Sequence, residues 1–327
     1  MKKDKKNNKK NNNKNQNNNI YINLFIIVCL INVLLLIMCV LNKGEINKLN
    51  YMNSLCNFNN KKINKENDKL VNKINKYDKS VDVTESGMAI KIPIITFHRT
   101  VDSETKKKYF AKSEWVNDIS VVDSELKYLY DNGWKTIDLD EFYCWYNKNC
   151  NFPEKTFVIT IDDGDSEVYY NVLPVLKKYN FKATLFSIGK YIPEVTEELN
   201  EPERLKLGYD KIVELRKNKS LLQVESHSYD LHYEVGKKEA VLLKSQKELM
   251  DDFKKNEKYG FKYMAYPYGQ YDKKMLYAVS NSNIKMAFKF RHGTYATRLD
   301  NKYEIARIKV NSYMKMDDFK KIFDYVK

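Results

Sequence analysis

From Lys91 onwards, β-branched and aromatic runs alternate with amphipathic stretches, and this alternation constrains the fold more than any other feature of the chain. Strand-like runs fall at 92–97, 135–139, 157–161, 183–188, 221–226, 263–266, 284–290 and 305–310. Helical periodicity is read between them at 113–131, 168–179, 203–217, 237–259, 272–281 and 315–325. Strands and helices alternating along the domain predict a parallel sheet with helices packed outside it. Seven or eight such units in about 235 residues favour an α/β barrel that is closed or nearly so.

The front of the chain reads differently. Residues 1–19 hold seven Lys and nine Asn and almost nothing apolar, the composition of a solvated tail. Residues 20–41 then run for 22 positions without a charge, long enough as a helix to cross a bilayer at about 1.5 Å per residue. A cleaved signal peptide is the rival reading, but no small-x-small pattern follows the segment. The expectation is an uncleaved, single-pass signal anchor at the cell membrane, with the Lys block cytoplasmic and everything beyond Leu41 extracytoplasmic. Residues 42–90, rich in Asn and Lys, read as a stalk leading into a domain over 91–327.

Charge and cysteine content narrow the function. The net charge of +14 is concentrated at the front, where residues 1–90 carry 16 Lys and Arg against 7 Asp and Glu, leaving 91–327 a net of only +5. The main domain therefore lacks the strongly basic footprint of a nucleic-acid binder. The five cysteines form no Cys-x-x-Cys pair, which argues against a thiolate zinc site. Cys144 and Cys150 are spaced to close a small disulfide loop in an oxidising compartment, and two free thiols are the equal alternative.

In parallel α/β folds the chemistry gathers at the carboxyl ends of the strands. Three strand ends here carry polar residues. The run 157–161 stops on Asp162-Asp163-Gly164, two carboxylates that are costly to bury together unless a cation or proton is shared. The strand 221–226 leads into His227-Ser228-Tyr229-Asp230-Leu231-His232, and the strand 263–266 into Pro267-Tyr268-Gly269. A carboxylate and two imidazoles make a three-ligand site with open positions, the pattern of a catalytic rather than a structural zinc centre.

These segments resemble the polysaccharide deacetylases, the NodB-homology domain of carbohydrate esterase family four. Thr160-Ile161-Asp162-Asp163-Gly164-Asp165, continuing through Leu173-Pro174 to Phe186, is similar to the family's first motif. His227-Ser228 to His232 is similar to the second, and Tyr266-Pro267-Tyr268-Gly269 to the third. The opening Pro93-Ile94-Ile95-Thr96-Phe97-His98-Arg99 resembles the poly-N-acetylglucosamine deacetylase branch. The resemblance implies a distorted (β/α) barrel and divalent-metal-dependent deacetylation of N-acetylated sugars, with Zn2+ the expected ion. Carried over by position, Asp163, His227 and His232 hold the metal, Asp162 is the general base, and the backbone N–H of Tyr268 faces the oxyanion.

Two positions depart from the family pattern. Ala265 stands where many members carry the Arg that orients the base, leaving Arg99, Arg291 and Arg307 as candidate replacements. Val310-Asn311-Ser312 stands where a Leu-x-His motif supplies the general acid, and His98 is the expected substitute, with His292 its rival. The resulting expectation is a hydrolase of amide bonds, acting on an N-acetylated polysaccharide such as a β-linked N-acetylglucosamine polymer of exopolysaccharide or peptidoglycan. A non-catalytic glycan-binding module of the same shape, or an O-acetyl esterase on xylan-type polymers, are the alternatives.

Overall fold

The computed structural model describes residues 87–290 and 295–324, all within one compact unit that begins at Glu85. The tail, the membrane anchor and all but the last residues of the stalk read from the sequence lie outside the described residues, as do Arg291 and His292. Among the described residues no helix is long and apolar enough to cross a membrane.

Among the described residues eight parallel strands form the sheet: β1 (Ile94–Phe97), β2 (Lys135–Thr136), β3 (Thr156–Ile161), β4 (Ala183–Ser187), β5 (Leu222–Ser226), β6 (Tyr263–Ala265), β7 (Met286–Phe290) and β8 (Ile305–Lys309). Their order is β1-β8-β7-β6-β5-β4-β3-β2, and β1 also pairs with β3. That extra pairing closes a ring of seven strands. The short β2 holds the first two residues of β3, and β1 holds the last four. The barrel is thus seven-stranded at its carboxyl end, where β2 no longer takes part.

Every residue of β3 is buried, as its unbroken apolar run predicts for a strand covered on both faces. Phe157, Ile159 and Ile161 pack outward with Leu126, Leu129, Leu176 and Phe181, while Val158 faces inward with Ile94, Phe186, Phe288 and Ile305. Side chains alternate along a strand. Thr160 and Asp162 therefore follow Val158 into the barrel, and Thr96 and His98 follow Ile94. On β8, Arg307 follows Ile305.

The helices depart from their predicted bounds for local reasons. The helix Ser103–Tyr109 has no counterpart among the helical stretches read from the sequence; Asp102 caps it by accepting from the Thr105 N–H at 2.8 Å. The expected strand 135–139 is cut short because Asp138 and Glu141 form a capping box that starts a helix at Leu139–Tyr146. The helix expected at 113–131 begins only at Ile119, after the Asp118 cap, and the one at 203–217 only at Tyr209. The long helix expected over 237–259 is divided. A hairpin takes Glu234–Val235 and Lys238–Glu239, a short turn spans Ala240–Leu243, and the Ser245–Glu248 capping box starts a new helix at Gln246–Asn256. Helical patterns at 168–179, 272–281 and 315–325 appear as Val168–Tyr179 (its first turn π-wide), Lys273–Ser280 and Met316–Lys321.

Cys144 and Cys150 are joined by a disulfide, with their Cα atoms 5.4 Å apart. The loop it closes leads to Phe152, whose carbonyl accepts from the Ala89 N–H at 2.8 Å. The Trp145 indole N–H donates to the Ala89 carbonyl at 2.9 Å. Helix Leu139–Tyr146 and its loop thereby fix the segment through which the chain enters the barrel.

Phe157 sits fully buried at the amino end of β3, edge-on to Trp134, Phe181 and Phe323. Phe157→Ala should lower unfolding stability by about 3–5 kcal/mol, because the cavity cannot collapse between three elements. Denaturant melts of the two proteins measure that difference.

Candidate active site

Seven segments meet at the carboxyl mouth of the barrel, around a cavity of about 700 Å³. Its walls include His98, Trp115, Arg204, Glu234, Tyr268 and Phe290, with Asp162, Asp163, His227 and His232 also facing it. The backbone at three of the strand ends takes positive φ at residues other than glycine: Asp163 at 79°, Ser228 at 66° and Tyr268 at 56°. Such conformations are uncommon and are retained where the surroundings over-determine them. Glycine is required beside two of them. A Cβ on Gly269 would lie 2.4 Å from that of Phe290, and one on Gly164 would lie 2.9 Å from the Ser187 Cα.

Asp163, His227 and His232 offer ligand atoms that all lie within 4.8 Å of one another. Asp163 Oδ1 is 3.3 Å from His232 Nε2 and 3.6 Å from His227 Nε2, and it is buried without a hydrogen-bond partner among the described residues. The His227 Nδ1 is 2.9 Å from the Ala265 carbonyl oxygen, which can only accept. Nδ1 therefore carries the proton, and the Nε2 lone pair is left to face Asp163. Burial lowers the pKa of both imidazoles, that of His232 to about 4 with help from neighbouring His227. Neutral imidazoles and an orphaned carboxylate oxygen fit the requirements of a divalent cation such as zinc.

Asp162 is set apart from these three. Arg307, fully buried on β8, grips both its oxygens, Nη1 to Oδ1 at 2.6 Å and Nη2 to Oδ2 at 2.8 Å. Burial alone would raise the Asp162 pKa, but the Arg307 guanidinium, with smaller contributions from His227 and His98, holds it below the usual carboxylate range. Arg307 is itself positioned by Thr160, whose hydroxyl lies 3.3 Å from Nη1, and stands over the Phe186 and Phe290 rings. Of the three arginines considered as a replacement for the one absent at Ala265, Arg307 reaches the carboxylate. Arg99 does not; it donates to Glu167 and to the carbonyls of Pro202 and Glu203.

His98 lies at the end of β1 with Nε2 3.9 Å from Asp162 Oδ2. Its ring meets Trp115 edge-on, with centroids 4.7 Å apart, and Phe290 at 5.6 Å. Burial depresses its pKa, outweighing the opposing pull of Asp162 and Asp163. Tyr268 occupies the turn after β6, and its ring lies against His232, tilted by 31° with centroids 4.3 Å apart. All six residues singled out in the sequence are thus gathered at one mouth.

Several supporting residues escaped the sequence reading. The Asp252 carboxylate accepts from the N–H groups of Tyr229 and Asp230 at 2.8 and 2.7 Å, and Asn256 donates to Ser226 Oγ at 2.9 Å. Together they set the curl that brings His227 and His232 to one point. The available signal was two polar residues four apart on the face of a helix otherwise buried through Leu249 and Phe253. Asp165, which the sequence marks only as part of the first motif, is fully buried and pairs with Arg204 and Lys206.

The sequence profile of the polysaccharide deacetylase family matches residues 149–287. A poly-β-1,6-N-acetyl-D-glucosamine N-deacetylase of Staphylococcus epidermidis is 30% identical over 269 residues, covering 77% of this chain and 85% of the relative. A protein of the same name from Staphylococcus aureus strain MSSA476 is 29% identical over 215 residues, covering 62% of this chain and 72% of the relative. Among solved structures, IcaB from Ammonifex degensii superposes with a TM-score of 0.59 at 20% identity, over 72% of this chain and 97% of its own.

Arg307→Met should leave Asp162 as a buried, unpaired charge and cost about 3–5 kcal/mol of stability at neutral pH. The deficit should shrink in acid, where Asp162 protonates in both states. Denaturant titrations of wild type and variant across that pH range test it.

Proposed function

The chain belongs to the polysaccharide deacetylase family, enzymes that hydrolyse amide bonds, and we propose that it removes acetyl groups from a β-linked N-acetylglucosamine polymer. The substrates in the names of the staphylococcal relatives favour the β-1,6-linked exopolysaccharide over peptidoglycan. The observation that carries the mechanism is the division of labour between adjacent carboxylates: Asp163 faces two histidines, whereas Asp162 is held off by Arg307.

Asp163 Oδ1, His227 Nε2 and His232 Nε2 are the atoms that would hold a divalent cation, with zinc the expected ion. Bound there, the ion would supply Lewis-acid polarisation of the acetyl carbonyl and would acidify water. Asp162 takes the proton of the attacking water as general base. Arg307 keeps its carboxylate ionised and aimed into the mouth, so the base starts in its competent state. The Tyr268 N–H, at the turn of positive φ, donates to the oxygen that becomes negative as the carbonyl carbon turns tetrahedral.

The departing nitrogen must gain a proton as the C–N bond breaks. His98 is the candidate for that step: it lies beside Asp162, flanked by the Trp115 and Phe290 rings. Its depressed pKa leaves it neutral at rest. The proton it passes on is therefore the one that water yields to Asp162, and the pair ends the cycle in its starting state.

The domain works outside the cytoplasm on this reading, anchored to the cell membrane by residues 20–41. The Lys-rich segment before that span and the Cys144–Cys150 disulfide, a bond rare in the cytosol, both support it.

Acetate release from soluble poly-β-1,6-N-acetylglucosamine, chitin oligomers and acetylated xylan tests the assignment. The β-1,6 polymer should be the preferred substrate, and turnover on xylan alone would replace the reading with an O-acetyl esterase. His227→Ala and His232→Ala should lose most bound zinc and all activity. Asp162→Asn should retain zinc while kcat falls by about 10²–10⁴-fold. Equal zinc loss in Asp162→Asn would show that the two carboxylates have exchanged roles. His98→Ala should lower kcat over a similar range at unchanged zinc content, and normal turnover by that variant would remove His98 from the proton path.

A further inference from the structure

The Asp163 carboxylate is engaged from two sides. Oδ1 faces the two histidines, while Oδ2 accepts from Arg204 Nη2 at 2.8 Å. The same guanidinium grips Asp165 with two bonds, Nε to Oδ1 and Nη2 to Oδ2, each 2.9 Å. Arg204 comes from the segment that follows β4 and crosses the mouth of the barrel. That segment is also tied down without it. Arg99 donates to the Pro202 and Glu203 carbonyls, Ser166 N–H to Leu205, Leu207 N–H to Gly164, and Lys206 to Asp165 and the Asp163 carbonyl.

We propose that Arg204 is a positioning residue: by occupying Asp163 Oδ2, it restricts that carboxylate to a single-oxygen contact with the cation. The inference rests on the metal-site reading above. A carboxylate can offer a cation one oxygen or two. A catalytic centre with three protein ligands works because positions remain open for water and substrate, and a second Asp163 oxygen would fill one of them. Arginine suits the task, since its planar fork holds Asp163 and Asp165 at once in a fixed geometry. The guanidinium also draws charge from Asp163 and so weakens its hold on the ion. Both effects act in the same direction, so losing Arg204 favours binding of the ion at the expense of turnover.

The test uses the full chain as wild type, Arg204→Ala, Arg204→Gln and Arg204→Lys. Three quantities are read: zinc affinity by competition with a chelator, the visible absorption of the Co2+-loaded protein, and kcat for acetate release. Arg204→Ala should lower kcat by about 10–100-fold. Its zinc affinity should be unchanged or higher, and the Co2+ band should weaken as the coordination number rises. Arg204→Gln, which keeps a donor for Oδ2, and Arg204→Lys, which keeps the charge, should each fall between wild type and Arg204→Ala, and both remain readable if the alanine variant folds poorly. Zinc affinity that falls along with kcat at an unchanged Co2+ spectrum would reduce Arg204 to a structural tie and overturn the proposal. So would an unchanged kcat. A wild-type protein that releases acetate without binding zinc or Co2+ would overturn the metal-site reading and this inference together. A metal-binding wild type with an indifferent Arg204→Ala overturns the inference alone.

Discussion

The buried pair between Arg307 and Asp162 is the interaction on which the rest of the mouth depends. Taking a guanidinium and a carboxylate out of water costs several kcal/mol per ion, recovered only with good geometry and further hydrogen bonds. Here the pair is bidentate, Thr160 approaches the guanidinium, and Thr96 lies 2.9 Å from Thr160 across β1 and β3. These residues project from three neighbouring strands into the barrel. The packing of β8 against β1, and of β1 against β3, therefore sets the aim of the base. Closing the ring through β1 and β3 is what makes this geometry available.

Around that pair the site separates two carboxylates that are adjacent in sequence. Asp162 continues the inward parity of Val158 and Thr160, whereas Asp163 takes φ of 79° and turns to the histidines. Without the turn, consecutive side chains on a strand would point to opposite faces. The positive φ brings both to one mouth while their partners differ: Arg307 for one, His227, His232 and Arg204 for the other. Gly164 must follow because Ser187 leaves no room for a side chain. Strain at this turn is thus tied directly to the chemistry.

Much of this was legible in the sequence because it is carried by local pattern. The eight strands followed from apolar runs, and Asp162, Asp163, His227 and His232 from their places at strand ends, whereas the roles of His98 and Tyr268 came from the resemblance to the family. The motifs that resemble the family brought them into one hypothesis. What was not legible depends on contacts distant in sequence. Nothing near Arg307 marks it as the partner of Asp162, 145 residues away; a Lys–Arg-rich chain offers many equivalent cations. Asp252 and Asn256 sit in a helix whose charge hides their burial, and Arg204 lies in a stretch with no motif. The disulfide was undecided because a spacing of six permits a bridge without requiring one. Element bounds differ where capping residues override the apolar pattern, ending a strand at Asp138 and dividing a helix at Ser245.

The ion should contact Asp163 and not Asp162. Anomalous diffraction at the zinc edge, from crystals of the protein grown with Zn2+, addresses it directly. One peak is predicted within about 2.0–2.2 Å of Asp163 Oδ1, His227 Nε2 and His232 Nε2, with Asp162 still clasped by Arg307. A peak ligated by Asp162, or an Asp162 released from Arg307 to reach the ion, would contradict it.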